Sequence, residues 1–172
     1  MKKIALALLL LLSGTVLFAQ RNGDSRENRP MHSVNLSLLG DASMISVNYQ
    51  KLYQVRPNFL VSGKLGLGYN QEFQLCLFGP CSTPPENFLT IPHHITGNWG
   101  GGWSFFEVGL GGTLVLGPIS QNYLLYPMIG YRLQPLKSDR LNFRIFGHFP
   151  VTGIESNYIL FIPIGFSAGF CF

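Results

Sequence analysis

The chain is poor in charge. Asp, Glu, Lys and Arg make up 12% of its 172 residues, about half of the roughly 25% of an average soluble domain. Beyond the N-terminal segment there is no apolar run of the ~18 residues that a spanning helix requires. Mean hydropathy is nevertheless positive, at +0.23, so apolar character is spread along the chain. There is no basic patch with interleaved aromatic residues, which argues against nucleic acid as a partner. No two histidines have the i, i+2 spacing that would put a two-His metal site on one strand face, and no cofactor is expected. Cysteine is scarce, with three in the chain.

What is abundant is Gly (20), Phe (14) and Tyr (7), arranged in alternating stretches. The clearest is the end of the chain, Tyr158 to Phe172, reading YILFIPIGFSAGFCF. Leu160, Ile162, Ile164, Phe166, Ala168, Phe170 and Phe172 fall on one face of a strand, and mostly small residues on the other. Low charge, dispersed hydrophobicity and this alternation fit a transmembrane β-barrel, whose apolar face is carried on every second residue.

Residues 1–19 read as a signal peptide. Lys2 and Lys3 form a basic start, Ile4 to Leu12 an apolar core, Ser13 and Gly14 a break, and Ala19 a small residue for cleavage before Gln20. The alternative is an uncleaved anchor, for which the stretch is short. Removing the segment lowers the formal charge from +4 to +2, so the sequence pI of about 9.1 overstates the basic character. Residues 20–31 are polar and charged and read as a flexible leader. Residues 32–172 would then form the barrel domain, with room for eight strands of roughly ten residues.

Expected strands run about 32–39, 43–53, 59–71, 89–98, 104–116, 123–134, 141–151 and 158–172. Short turns are expected at Gly40-Asp41-Ala42, 54–58, 99–103 and 135–140, and the longest loop at 72–88. The fold class is all-β: an eight-stranded antiparallel transmembrane barrel, an up-and-down meander. Pro92, Pro127, Pro150 and Pro163 stand against it, because each removes a ladder hydrogen bond inside an expected strand. A soluble ligand-binding barrel is the competitor, but it would carry charges outward. Here the second face is Ser, Asn, Gln, Gly and Thr with isolated charges, which suits a lumen.

The alternating final strand ending Phe170-Cys171-Phe172 resembles the assembly signal of bacterial outer-membrane barrels, with Phe170 and Phe172 its aromatic positions. Together with Phe18-Ala19-Gln20, Pro92-His93-His94-Ile95, Phe105 to Gly111 and Ile129-Gly130-Tyr131-Arg132, it is similar to small outer-membrane barrels of the Bacteroidota. The architecture is similar to the OmpA and OmpX transmembrane domains. The resemblance implies a cell outer-membrane address. It implies outer-membrane lipid, lipopolysaccharide and the barrel assembly machinery as partners, with both chain ends on the periplasmic side. It implies no particular activity.

Five residues are expected to face inward as a lumen charge network: Lys64, Glu107, Arg132, Arg144 and His94. Unpaired charges in a narrow lumen are costly, so they should pair and plug it. The alternative is a gate or narrow channel. An enzyme that modifies lipid A is a further alternative. Its nearest residues would be His148, Glu155 and Ser156, but Pro150 stands where lipid A deacylases carry the serine, two residues from the histidine. Cys76 and Cys81 flank Gly79-Pro80 and either form a disulfide or stay as thiols. Trp99, Trp103, Tyr53 and Tyr131 are placed for an aromatic girdle. The role read from all this is structural, adhesive or small-ligand binding at the surface, with no catalytic residues.

Overall fold

A computed structural model describes residues 29–72, 85–117, 123–136, 139–151 and 160–172. The expected signal peptide and most of the expected leader, together with Cys76, Cys81, Glu155 and Ser156, lie outside the described residues. The described elements are eight strands: β1 (His32–Leu38), β2 (Ile45–Arg56), β3 (Phe59–Gln71), β4 (Asn87–Gly101), β5 (Ser104–Leu116), β6 (Tyr123–Leu133), β7 (Leu141–His148) and β8 (Ile164–Cys171). Each pairs antiparallel with its neighbour in sequence, and β8 returns to β1, from Ser33↔Cys171 to Leu38↔Phe166. The sheet is a closed barrel without a free edge.

Alternation decides which side chains point in. On β2, Ser46, Asn48, Gln50 and Leu52 are buried while Ile45, Val47, Tyr49 and Tyr53 are exposed. The same holds on β4, where Thr90, His94, Thr96 and Asn98 are buried and Leu89, Ile95 and Trp99 are exposed. The interior is thus mainly polar and the outer face mainly apolar. The six charged strand residues divide sharply. Lys64, Glu107, Arg132 and Arg144 are buried, while Lys51 and Arg56 lie outside, near the end of the barrel that holds the chain termini.

The prolines are accommodated by register. On β4, pairing with β3 lapses between Leu65↔His93 and Gly68↔Thr90, so the missing N–H of Pro92 falls in a gap in the ladder. Pro127 sits where the β6–β7 ladder ends, and its carbonyl accepts from Phe149 N at 3.2 Å. Pro150 follows the end of β7, and Pro163 precedes β8 while its carbonyl accepts from His148 N at 2.9 Å.

Two expected strands are therefore shorter than the alternation suggests. The last begins at Ile164, not near Tyr158. Phe161 leaves the alternating pattern and packs on an apolar cluster of Ala42, Phe88, Val115, Leu124 and Tyr126 at the loop end. The seventh stops at His148 rather than Val151. At the terminus end Leu52, Leu60 and Phe105 form a second cluster, covered by Met31. Arg29 reaches the Gly102 carbonyl at 3.1 Å and lies 4.9 Å from the Phe105 ring centroid. The last three residues of the expected flexible leader are thus packed into this mouth of the barrel. Both ends of the lumen carry apolar closures.

The β1–β2 connection turns in an unusual way. Leu39, Gly40, Asp41 and Ala42 have φ of 57°, 72°, 55° and 50°, a consecutive left-handed run. Such backbone costs L-residues roughly 1–2 kcal/mol each and suits only Gly without penalty. A Cβ added at Gly40 would stand 2.9 Å from both Gly165 Cα and the Phe146 ring. Gly40→Val is therefore expected to destabilise the barrel by at least ~1–2 kcal/mol, read as a lower urea midpoint with an unchanged slope.

Candidate functional site

The left-handed turn folds Asp41 into the lumen, where it is fully buried. Its carboxylate pairs with the Lys64 ammonium and lies 2.8 Å from His94 Nε2. Its backbone carbonyl accepts from Thr113 Oγ1 at 2.7 Å and from Ser43 Oγ at 3.2 Å. Lys64 and His94 are cross-strand partners on β3 and β4, so one carboxylate serves two neighbouring inward side chains.

Glu107 forms the second centre. Arg144 Nε donates to Oε2 at 2.6 Å and Arg132 Nη2 to Oε1 at 3.4 Å. Arg132 and Arg144 are register partners on β6 and β7. The two centres join at His94, where Arg144 Nη2 lies 3.4 Å from Nδ1. Arg144 can only donate, so Nδ1 accepts and the imidazole is neutral, with its proton on Nε2 beside Asp41. Tyr126 completes the arrangement: its hydroxyl is 3.1 Å from His94 Nε2 and 2.9 Å from Thr113 Oγ1.

The five residues expected in a lumen network are all buried. Glu107, Arg132 and Arg144 meet directly, and His94 touches Arg144. Lys64 pairs with Asp41 instead of Glu107. Sequence reasoning missed Asp41 because it lies in a turn, where strand alternation assigns no face. One signal was available: the inward strand positions hold three cations and one carboxylate, an imbalance that calls for a further acid.

The remaining lumen is neutral. Asn48 Nδ2 donates to Ser37 and Ser46 hydroxyls at 2.9 Å, Gln50 to Ser62 at 2.9 Å, and Ser62 meets Thr96 at 2.6 Å. These short side chains fill the space left by β1, β2, β3 and β8. His148 is also inward and fully buried. Among the described residues its ring nitrogens have no partner, and it packs 4.7 Å from Phe161 and 4.9 Å from Tyr126, centroid to centroid. It brings no base toward the outer face. His93, one residue from His94, points outward and meets Tyr123 Oη at 2.8 Å.

Cys171 is buried, with Gln134 Nε2 at 3.6 Å from its sulfur. Phe170 and Phe172 are exposed, with Arg140 over Phe170 at 5.5 Å and His32 stacked on Phe172 at 6.0 Å. Tyr53, Trp99, Trp103 and Tyr131 are exposed toward the terminus end. An outward groove of about 310 Å³ lies over Ala168, between Leu36 and Leu38 on one side and Phe143 and Ile145 on the other. Its lining is mainly apolar, with Arg144 and Ser167 also contributing. No group of three or more His, Cys, Asp or Glu among the described residues could hold a metal ion.

No family model, curated protein or solved structure matches this chain.

The arrangement is an ion cluster that fills the interior and ties strands together. Removing one member leaves another buried and unpaired, at a cost of about 3–5 kcal/mol. Asp41→Asn is expected to lower stability by that order. Adding Lys64→Met to the same chain should recover most of it, and equilibrium unfolding of the double-mutant cycle reads the coupling.

Proposed function

We propose that this protein is an outer-membrane β-barrel with a plugged polar lumen, serving a structural or adhesive role or binding a small ligand at the cell surface. The observation that carries the reading is the polarity of the two faces. The outer face is apolar around the closed barrel, with Val34, Leu36, Val47, Leu65, Leu67, Ile95, Leu110, Ile129, Ile145 and Phe166 all exposed, while Lys64, Glu107, Arg132 and Arg144 are turned inward. In water this inversion would leave a large apolar surface uncovered. In a bilayer it is what a spanning barrel requires.

Further features support the address. The aromatic residues Tyr53, Trp99, Trp103 and Tyr131 suit an interfacial girdle, and Phe170 and Phe172 suit the assembly signal of the barrel machinery. Lys51 and Arg56 lie where the headgroups of the periplasmic leaflet would be. The similarity to small barrels of the Bacteroidota and to the OmpA and OmpX domains is part of this proposal. The plugged interior favours a structural role over a channel. His148, facing inward under Phe161, lends no geometry to a lipid A-modifying site.

Two measurements test the reading. The folded protein, isolated with the outer membrane, should resist SDS and change its gel mobility on boiling; recovery in the soluble periplasm with no shift would overturn it. Ile95, 71% exposed near the middle of β4, discriminates further. Ile95→Arg should cost about 2–4 kcal/mol in a bilayer, against about 0.5 kcal/mol or less at a water-exposed site, read by unfolding from lipid vesicles.

A further inference from the structure

On β8 the outward positions Phe166, Ala168 and Phe170 set a methyl group between two rings. Ala168 is the register partner of Leu36 on β1 and of Phe143 on β7. The large side chains around it leave the outward groove of about 310 Å³, flanked by Leu36, Leu38, Phe143 and Ile145. Toward the terminus end the same face runs on to Phe170, two residues or about 7 Å further along the strand. The Arg140 guanidinium lies over that ring, 5.5 Å from its centroid. Arg140 is exposed and makes no ion pair among the described residues. Its sign matches its surroundings. Among the described residues, the outside of the terminus end carries Lys51, Arg56 and Arg140 against the side chain of Asp139, while the outside of the loop end carries Glu72 and Glu86. An apolar groove that leads to a cation fits a molecule with an apolar chain and an anionic head.

We propose that the groove over Ala168 holds one acyl chain of an anionic glycerophospholipid, with the lipid phosphate paired to Arg140. The inference rests on the reading of the outer face as lipid-facing. Guanidinium and phosphate form charge-assisted, often bidentate hydrogen bonds. Within a bilayer no water is displaced from an apolar groove, so the chain is held by packing contacts. Selection among lipids then falls to the head and its charge. A second copy of the chain suits the groove less well. A two-fold axis along the barrel would bring two Arg140 side chains to the same level, where like charges repel.

The test uses the full mature barrel folded in mild detergent, with phosphatidylglycerol or phosphatidylcholine added and bound lipid counted by native mass spectrometry. One phosphatidylglycerol should be retained about tenfold more tightly than phosphatidylcholine, the effect of a charge-assisted pair. Arg140→Gln should remove that preference and leave the weaker binding common to both lipids. Ala168→Phe, which fills the groove from outside, should weaken both lipids alike. Equal retention of the two lipids by the unsubstituted barrel would overturn the proposal. So would unchanged binding in Ala168→Phe, or a dimer that this variant dissolves, which would assign the groove to a second copy. Arg140 is exposed, so its variant decides if Ala168→Phe does not fold. Gel mobility of the same samples, boiled and unboiled, separates the two readings. Absent lipid preference in a barrel that still shifts on boiling would overturn this site alone, whereas absence of the shift would overturn the membrane reading and the site with it.

Discussion

Two buried carboxylates organise the interior. Glu107 on β5 takes Arg132 from β6 and Arg144 from β7. Asp41, carried by the β1–β2 turn, takes Lys64 from β3 and His94 from β4. Through the contact between Arg144 and His94, side chains from the β1–β2 turn and from five successive strands, β3 to β7, meet in one cluster. Such pairs add little net stability against an apolar core of the same shape. They are strong devices for register. A slip of one residue in any of these strands would turn a charge onto the apolar face and a large apolar residue into the lumen.

The same cluster explains the strained turn. Leu39, Asp41 and Ala42 adopt left-handed backbone that disfavours side chains with a Cβ. Their reward is a carboxylate delivered between Lys64 and His94, a backbone carbonyl capped by Thr113, and Ala42 packed into the loop-end cluster. Breaking the turn would free its strain but leave Lys64 buried without its carboxylate. The apolar closure at the other end, where Met31 covers Leu52, Leu60 and Phe105, keeps the ionic groups between two dry layers, where their mutual attraction is least screened.

Much of the fold was legible because closed barrels write their two faces into alternate residues. The bounds of β3 and β5 follow directly from alternation stopped by turn residues, Pro57-Asn58 before one and Gly101-Gly102 before the other. The start of β8 was not legible. Leu160, Ile162 and Ile164 continue an apolar alternation, while Phe161 is drawn into the loop-end core and Pro163 precedes the ladder. Tertiary packing there overrides a pattern that a strand and an irregular segment share. The inward charges could be read from strand parity, but their pairing could not. Lys64 and Glu107 are both inward, yet the nearest acid to Lys64 comes from a turn. A turn's direction depends on backbone conformation, and nothing in Leu39 or Ala42 announces a left-handed run.

The polarity of the two faces is the central claim, and the two tryptophans report on it directly. Trp99 and Trp103 are the only Trp residues in the chain, and both lie outward near the terminus end of the barrel, about half exposed. Their fluorescence should be measured in vesicles containing lipids brominated at defined depths. The account predicts blue-shifted emission, quenched most by bromine near the headgroup end of the acyl chain and little by aqueous iodide. Red-shifted emission that iodide quenches and brominated lipid leaves unchanged would contradict it.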